Sequence, residues 1–230
     1  MSRLELTGVT HAYGVGSARR EVLTDLSVTL TEPRIGVVGA NGSGKSTFAR
    51  LLNGLVVPTR GTVSVDGLDT RTHAKDVRRR VGFCFTDPDA QIVMPTVQED
   101  VGFGLRRRMS KSQVAERVAA VLETYGLAGH ADHPTHLLSG GQKQLLALVS
   151  VLVTEPSVLV LDEPTTLLDL RNTRRVAETV AGLPQQVVMV THDLDLLDDF
   201  DRVLVFDRAR LVLDGSPSEA LAHYRALMGA

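Results

Sequence analysis

Residues 39–46 form the pattern G-x-x-x-x-G-K-S, between the short apolar run 35–38 and a stretch that predicts a helix. Glycines allow such a loop to fold its backbone N–H groups around phosphate oxygens, and the following helix N-terminus adds partial positive charge. The Lys45 ammonium would contact the β- and γ-phosphates of a nucleotide, and the Ser46 hydroxyl would coordinate Mg²⁺. A purely structural glycine-rich turn is the weaker interpretation. The candidate nucleotide contacts here are Gly39, Asn41, Gly42, Ser43, Gly44, Lys45, Ser46 and Thr47.

Two acidic residues, Asp162 and Glu163, directly follow the apolar run Val-Leu-Val-Leu at 158–161. In an open α/β sheet, ligand-handling groups lie at the carboxyl ends of strands. A carboxylate at that place can hold Mg²⁺, and a second one beside it can deprotonate an attacking water. We therefore predict Asp162 as the magnesium residue and Glu163 as the general base. The alternative is a loop whose acidic side chains face solvent.

A third candidate element is the segment Leu-Ser-Gly-Gly-Gln at 138–142, here called the signature segment. Ser139 and Gln142 have the spacing of a capping box, and residues 144–154 read as a long apolar helix. The segment is therefore a helix N-terminus with exposed backbone donors and a hydroxyl group. From the residues alone, binding of an anion and simple capping of the helix are about equally supported.

The elements that must position these residues are predicted by short β-branched runs separated by helix-like stretches, a pattern typical of a sheet covered by helices. We expect an α/β fold with a mostly parallel sheet and antiparallel strands near the N-terminus. Residues 1–230 are expected to form one domain, with a helical insert at approximately 87–150. Capping patterns at Ser110 and Ser216 predict two further helix starts. Residues 193–201 predict an amphipathic helix whose acidic face is exposed to solvent.

Composition excludes several classes of function. The 230 residues include 25 Lys and Arg against 27 Asp and Glu, and this balance argues against a protein that binds a nucleic-acid backbone. The longest run without a charged or amide side chain, 145–154, is far shorter than the ~20 apolar residues of a membrane helix. No secretory signal is apparent at the N-terminus. The single cysteine, Cys84, fits a reducing cytosol and is expected to be buried and inert.

The signature segment matches the signature motif of ATP-binding cassette ATPases letter for letter, and it lies in that family's order between the phosphate loop and Asp162. The whole chain resembles this family, with its P-loop NTPase core and helical subdomain. The resemblance implies ATP and Mg²⁺ as ligands and hydrolysis of ATP. It further implies that Tyr13 stacks on adenine, that Asp169 is the acidic residue of the D-loop, and that His192 is the switch histidine. The implied catalytic residues are Lys45, Glu163 and His192.

In this family the signature of one subunit closes over ATP held by the phosphate loop of another subunit. The resemblance therefore implies that Ser139 and Gly141 contact a γ-phosphate bound by a partner chain, with Gly140 and Gln142 beside them. The pair is either a homodimer or a heterodimer with a related ATPase.

Residues 88–104 resemble the energy-coupling factor and cobalt, nickel or biotin importer ATPases. The resemblance implies a transmembrane coupling protein and a substrate-capture membrane protein as partners, no nucleic acid, and a peripheral location at the cytoplasmic face of the cell membrane. The short C-terminus is most similar to the biotin branch. The alternative is a non-transport cassette ATPase that acts on DNA or ribosomes; a small-molecule kinase would leave the signature segment unexplained.

Two positions depart from the family pattern. Thr86 stands where relatives carry a glutamine that touches magnesium and relays to the membrane partner. The Thr86 hydroxyl can still ligate an ion, but the side chain is shorter and has no amide. Gln91 lies five residues later and is not a substitute for that glutamine. Leu167 replaces the usual small residue of the D-loop. Three histidines at 130, 133 and 136 are expected to be surface residues rather than a metal site, because Pro134 interrupts any helix that would align them.

Overall fold

The computed structural model describes residues 1–106 and 108–229, and these fall into two units. The first unit comprises Met1–Phe83, Ser157–Glu163 and Leu183–Ala230, and the second comprises Cys84–Pro156 and Pro164–Gly182. The second unit thus extends beyond the insert expected at 87–150. That the two units form a single domain stays a prediction.

The short apolar runs of the sequence form β-strands, and they do so because β-branched and leucine side chains pack well on a pleated, buried surface. The described strands are β1 (Leu4–Tyr13), β2 (Arg20–Leu30), β3 (Arg34–Gly39), β4 (Arg60–Val65), β5 (Leu68–Asp69), β6 (Val81–Cys84), β7 (Val158–Asp162), β8 (Gln186–Val190), β9 (Arg202–Asp207) and β10 (Arg210–Gly215).

An antiparallel sheet with the strand order β2-β1-β4-β5 includes the N-terminal strands. A six-stranded sheet has the order β10-β9-β3-β8-β7-β6. In it β3 pairs in parallel with β8 and β9, β7 pairs in parallel with β8, and β9 and β10 form an antiparallel hairpin. Every residue of β7 and β8 is buried, as expected for strands covered on both faces. The predicted α/β class with a mostly parallel sheet is confirmed.

The described helices of the first unit are α1 (Lys45–Leu52), α2 (Ala74–Arg80) and α7 (Pro217–Met228). Helices α3 to α6 lie between α2 and α7 in the chain and belong to the second unit. Phe48 of α1 packs against Phe206 of β9 with ring centroids 5.1 Å apart. This buried contact fixes the helix that begins at Lys45 against the sheet.

The second unit is helical among its described residues, with α3 (Val97–Phe103), α4 (Lys111–Thr124), α5 (Gly140–Leu152) and α6 (Leu170–Ala181). Its core joins apolar residues of α3, α4 and α5, including Val101, Leu122 and Leu146. Capping boxes begin α4 at Ser110 and α5 at Ser139, as the sequence predicted. Ser216 likewise caps α7, where Pro217 is the first helical residue.

The prediction of an amphipathic helix over residues 193–201 is wrong. In this stretch, helical structure is confined to a short 3₁₀ helix at Leu194–Leu197. Aspartate is a poor residue for helix interiors because its carboxylate competes for local backbone N–H groups, and five of these nine residues are aspartates.

Within the described part of the chain, no helix has both the length and the apolar character that a membrane crossing requires.

Candidate active site

The phosphate loop (residues 39–46) connects β3 to α1 through backbone conformations that favour glycine. Gly39 has φ 151° and Gly44 has φ 107°. A Cβ atom would lie 2.1 Å from the Phe206 carbonyl oxygen at Gly39, and 2.3 Å from the Val22 carbonyl oxygen at Gly44. Because both obstacles are backbone atoms, neither can move aside cheaply. The two glycines therefore let the loop pass against β9 and β2.

The N-terminus of α1 differs from those of α4, α5 and α7 in its capping. Its N-cap residue, Gly44, makes no side-chain capping hydrogen bond, whereas serines cap the other three helices. The first N–H groups of a helix have no partners within the helix, so an uncapped terminus is suited to an anion. The Ser43 Oγ atom is also buried without a hydrogen-bond partner in the described residues. These unmet donors fit phosphate oxygens.

The Lys45 ammonium is buried beside the loop, where it donates to the carbonyl oxygens of Gly39 at 2.6 Å and Ala40 at 3.0 Å. Burial lowers the pKa of Lys45, and the charges of Glu163 and Asp162 oppose that shift. The lysine is thus held in place next to two carboxylates by weak carbonyl acceptors, which an anionic phosphate can replace.

The Ser46 hydroxyl donates to Asp162 Oδ1 at 2.9 Å, and this bond joins the start of α1 to the end of β7. Arg50 Nη2 lies 3.8 Å from Asp162 Oδ2. Burial raises the pKa of Asp162, while the Ser46 bond and the Arg50 charge lower it. A hydroxyl oxygen and a carboxylate oxygen at this distance suit Mg²⁺, which prefers hard oxygen ligands and keeps several waters.

Glu163 Oε2 accepts a hydrogen bond from His192 Nδ1 at 2.6 Å, and this contact joins the residues that follow β7 and β8. The Glu163 amide donates to the Val190 carbonyl oxygen at 2.9 Å, and Glu163 has φ 55°, a left-handed conformation that is uncommon for a residue with a side chain. The Glu163 side chain is 16% exposed and that of His192 is 59% exposed. A carboxylate in a fixed pose thus has an orienting histidine at the edge of the site.

Tyr13 ends β1 and is 44% exposed. Its hydroxyl oxygen lies 3.5 Å from Thr47 Oγ1 on α1, and its ring meets that of His11 edge to face. The first unit therefore brings together the phosphate loop, Asp162, Glu163, His192 and Tyr13. An exposed aromatic face beside this loop can stack on a base.

The remaining candidate residues belong to the second unit. The Gln142 backbone N–H donates to Ser139 Oγ at 3.3 Å, and the Ser139 backbone N–H donates to the side-chain oxygen Oε1 of Gln142 at 2.9 Å. Asp169 caps α6 by accepting from the Asn172 amide at 2.8 Å. Ser139, Gly140 and Asp169 are exposed, and Gly141, Gln142 and Thr86 are partly buried.

The sequence analysis missed Arg50 and predicted no contact for Gln91. Arg50 lies four residues after Ser46, so both occupy one face of α1, and this spacing is the signal that would have paired it with Asp162. In the second unit, Gln91 Oε1 accepts from the Phe85 amide at 3.0 Å and its Nε2 donates to the Ala147 carbonyl at 2.7 Å. The Gln91 amide therefore ties the chain near Thr86 to α5.

The sequence and the fold are similar to those of known proteins. A family model described as ABC transporter matches residues 23–166. The chain is 58% identical over 226 residues to a putative ABC transporter ATP-binding protein of Deinococcus radiodurans, with 98% of each chain covered. It is 49% identical over 215 residues to the biotin transport ATP-binding protein BioM of Rhizobium etli, covering 93% of this chain and 96% of that one.

The solved structure of CbiO1 from Clostridium perfringens, described as part of the ABC transporter complex CbiONQ, is also similar. It has a TM-score of 0.82 at 30% identity and covers 98% of this chain and 93% of its own. The chain belongs to the ABC transporter ATP-binding family, whose members bind ATP and hydrolyse it, and the predicted family is confirmed.

Proposed function

We propose that this ABC ATPase is the ATP-hydrolysing subunit of an energy-coupling-factor-type importer for a vitamin or metal ion, with biotin favoured over cobalt or nickel. The observation that carries the hydrolytic part is the Glu163–His192 hydrogen bond of 2.6 Å at the strand ends beside the phosphate loop. The importer part is supported by the identity to a biotin transport ATP-binding protein and by the character of residues 88–104.

In the proposed reaction Glu163 is the general base. Its carboxylate accepts a proton from water as the water oxygen bonds to the γ-phosphorus, and the bond from that phosphorus to the β–γ bridging oxygen breaks. ADP leaves with the electron pair of the broken bond. Because a carboxylate only accepts hydrogen bonds, the proton in the Glu163–His192 contact lies on Nδ1. His192 thus orients the base. Its Nε2 edge is assigned to the γ-phosphate with the ring doubly protonated, because only then do both ring nitrogens donate.

Lys45 is assigned to the β- and γ-phosphates, and the loop and helix amides to the phosphate oxygens. Tyr13 is assigned to the adenine ring. Ser46 and Asp162 would hold Mg²⁺, which would neutralise charge on the phosphates; Thr86 as a further ligand stays a prediction.

The signature segment is assigned to nucleotide held by a second chain, in a homodimer or a heterodimer with a related ATPase. ATP would draw the two chains together, and hydrolysis would release them. This movement would be passed to a transmembrane coupling protein that carries a substrate-capture protein, with the ATPase peripheral at the cytoplasmic face. The balanced charge of the chain gives no support to the alternative of a DNA- or ribosome-bound ATPase.

The test is purification of the tagged chain from detergent-solubilised membranes of its own source, with identification of every stable partner. We expect a transmembrane coupling protein with a small substrate-capture protein, and biotin as the ligand extracted from the latter. A complex that holds cobalt or nickel would correct the cargo alone. Ribosomal or DNA-associated partners with no membrane protein would overturn the importer assignment.

A further inference from the structure

A chain of hydrogen bonds connects two histidines to the signature segment within the second unit. His130 Nδ1 lies 2.7 Å from His133 Nδ1, and His130 Nε2 lies 3.0 Å from Gln142 Nε2. At its other end the Gln142 side chain accepts from the Ser139 amide, through Oε1 at 2.9 Å. Neither histidine takes part in the proposed hydrolysis.

Donor and acceptor rules fix where the protons lie in this chain. Because Gln142 Oε1 accepts from the Ser139 amide, the amide nitrogen Nε2 is the end that faces His130, and it can only donate. His130 Nε2 must therefore be unprotonated, which places the proton of the neutral ring on Nδ1. That proton points at His133 Nδ1, which must accept it. His133 is then neutral, with its proton on Nε2.

An added proton breaks this chain at one of its links. A proton on His130 Nε2 opposes the Gln142 N–H group, and a proton on His133 Nδ1 opposes the His130 N–H group. If the Gln142 amide rotates to relieve the first conflict, its NH₂ group faces the Ser139 N–H, and half of the capping box at α5 is lost. The histidine pair and the cap of the signature helix are thus coupled.

We propose that His130 and His133 are positioning residues for the signature segment, which they hold in its capped form only while both imidazoles are neutral. The proposal rests on the proposed function of that segment in binding nucleotide. Because an added proton at either link breaks the chain of hydrogen bonds, acid would loosen the segment. The signature then contributes less to hydrolysis at acid pH than at alkaline pH.

The surroundings leave the pair open to protons and place few charges near it. His133 is exposed, and both rings line a small cavity with Pro134, Leu137, Leu138 and Gln142. The other titratable groups are Asp132 and His136 on the same stretch, Lys143 of α5 and Glu99 of α3. Lys143 forms an ion pair with Asp89, and Glu99 accepts a hydrogen bond from the Thr96 hydroxyl. Asp132 accepts from Gln98 of α3 at 2.5 Å.

The first test needs no nucleotide. Nitrogen-15 NMR of the full chain, with labelled histidine, is expected to show His130 as the Nδ1–H tautomer and His133 as the Nε2–H tautomer at about pH 8. As the pH falls to about 5.5, the Ser139 amide resonance should follow the same titration curve as His130. An Nε2–H tautomer at His130, or a Ser139 amide that does not follow it, would overturn the proposal.

The second test uses ATPase rates at about pH 8. His133→Ala removes the acceptor of the His130 N–H group, so His130 and the Gln142 side chain are held less firmly. The kcat should then fall about two- to fivefold, a loss at the lower end of what a capping interaction contributes. His133→Asn offers an amide oxygen in place of Nδ1 and should restore the rate. His136→Ala is the matched control, because His136 is exposed on the same stretch and forms no side-chain hydrogen bond among the described residues.

Equal losses in the two alanine variants, or no rescue by asparagine, would contradict the proposal. The two proposals fail separately. Failure of the wild-type chain to hydrolyse ATP, both alone and with its co-purified partners, would refute the proposed function and leave the tautomers standing. Wrong tautomers in an active enzyme would refute only the role of the histidines.

Discussion

Replacement of Gly141 by alanine should destabilise the second unit because of one neighbour, Asn172 of α6. A Cβ atom at position 141 would lie 2.2 Å from both Cγ and Oδ1 of Asn172, so the asparagine must rotate away and lose its Nδ2 hydrogen bond to Asp169 of 3.0 Å. The strained rotamer and the lost bond each cost about 0.5–1.5 kcal/mol. Alanine in a helix recovers about 0.5–1 kcal/mol relative to glycine. The net loss is about 0–2.5 kcal/mol, with a central value of about 1 kcal/mol.

The Asn172→Ala background removes the obstacle, so there the same Gly141→Ala change should stabilise the protein by about 0.5–1 kcal/mol. Urea denaturation of the four proteins of this cycle, followed by circular dichroism, measures the coupling between the two positions. ATPase activity should stay low in the double variant, because the methyl group still occupies the place assigned to a partner's γ-phosphate.

Destabilisation of equal size in both backgrounds would show that Asn172 is not the reason for a glycine at position 141. Recovery of ATPase activity in the double variant would show that Gly141 only makes room between α5 and α6. In that case the nucleotide contact assigned to Gly141 would be wrong.

Two further changes have expected outcomes. Burial raises the pKa of Asp162, so the folded state binds its proton more tightly than the unfolded state, and the ionised form costs stability at neutral pH. Asp162→Asn should therefore raise the Tm of the nucleotide-free protein at pH 7, and this gain should shrink as the pH falls toward about 4. ATPase activity should be lost. A lowered Tm at pH 7 would contradict the reasoning. Thr86→Gln should change coupled transport more than basal ATPase rate in a reconstituted importer, and an unchanged ratio of the two would refute the role given to Thr86.

The elements that the sequence predicted well are those with local causes. Glycines at 39 and 44 precede a lysine, and both adopt backbone conformations that side chains disfavour, so the pattern alone was sufficient to predict the strand–loop–helix backbone at 39–46. Likewise, Ser110 and Ser139 begin helices through hydrogen bonds that span only three residues.

Contacts between distant parts of the chain could not be predicted in the same way. Ser46 and Asp162 are 116 positions apart, and their hydrogen bond depends on the order of strands in the sheet. The close approach of Gly141 and Asn172 depends on how α5 and α6 pack, which no spacing in the sequence encodes.

The error at 193–201 has a different cause. The apolar residues of that stretch recur at helical spacing, but the pattern takes no account of propensity. Its aspartates favour turns, and the chain forms only the turn at Leu194–Leu197.

The most direct test of the central claim is a comparison of wild type and Glu163→Gln for ATP hydrolysis and for mass in solution. Glutamine keeps the shape of the side chain but cannot accept a proton from water. We predict that phosphate release falls at least about 100-fold while the variant still binds ATP, because general-base catalysis contributes about 10²–10⁴. With Mg²⁺ and ATP, light scattering should show the variant as a stable pair of ATPase chains, which in the homodimer has twice the mass of the 24.8 kDa chain. Turnover near the wild-type rate would show that Glu163 is not the general base.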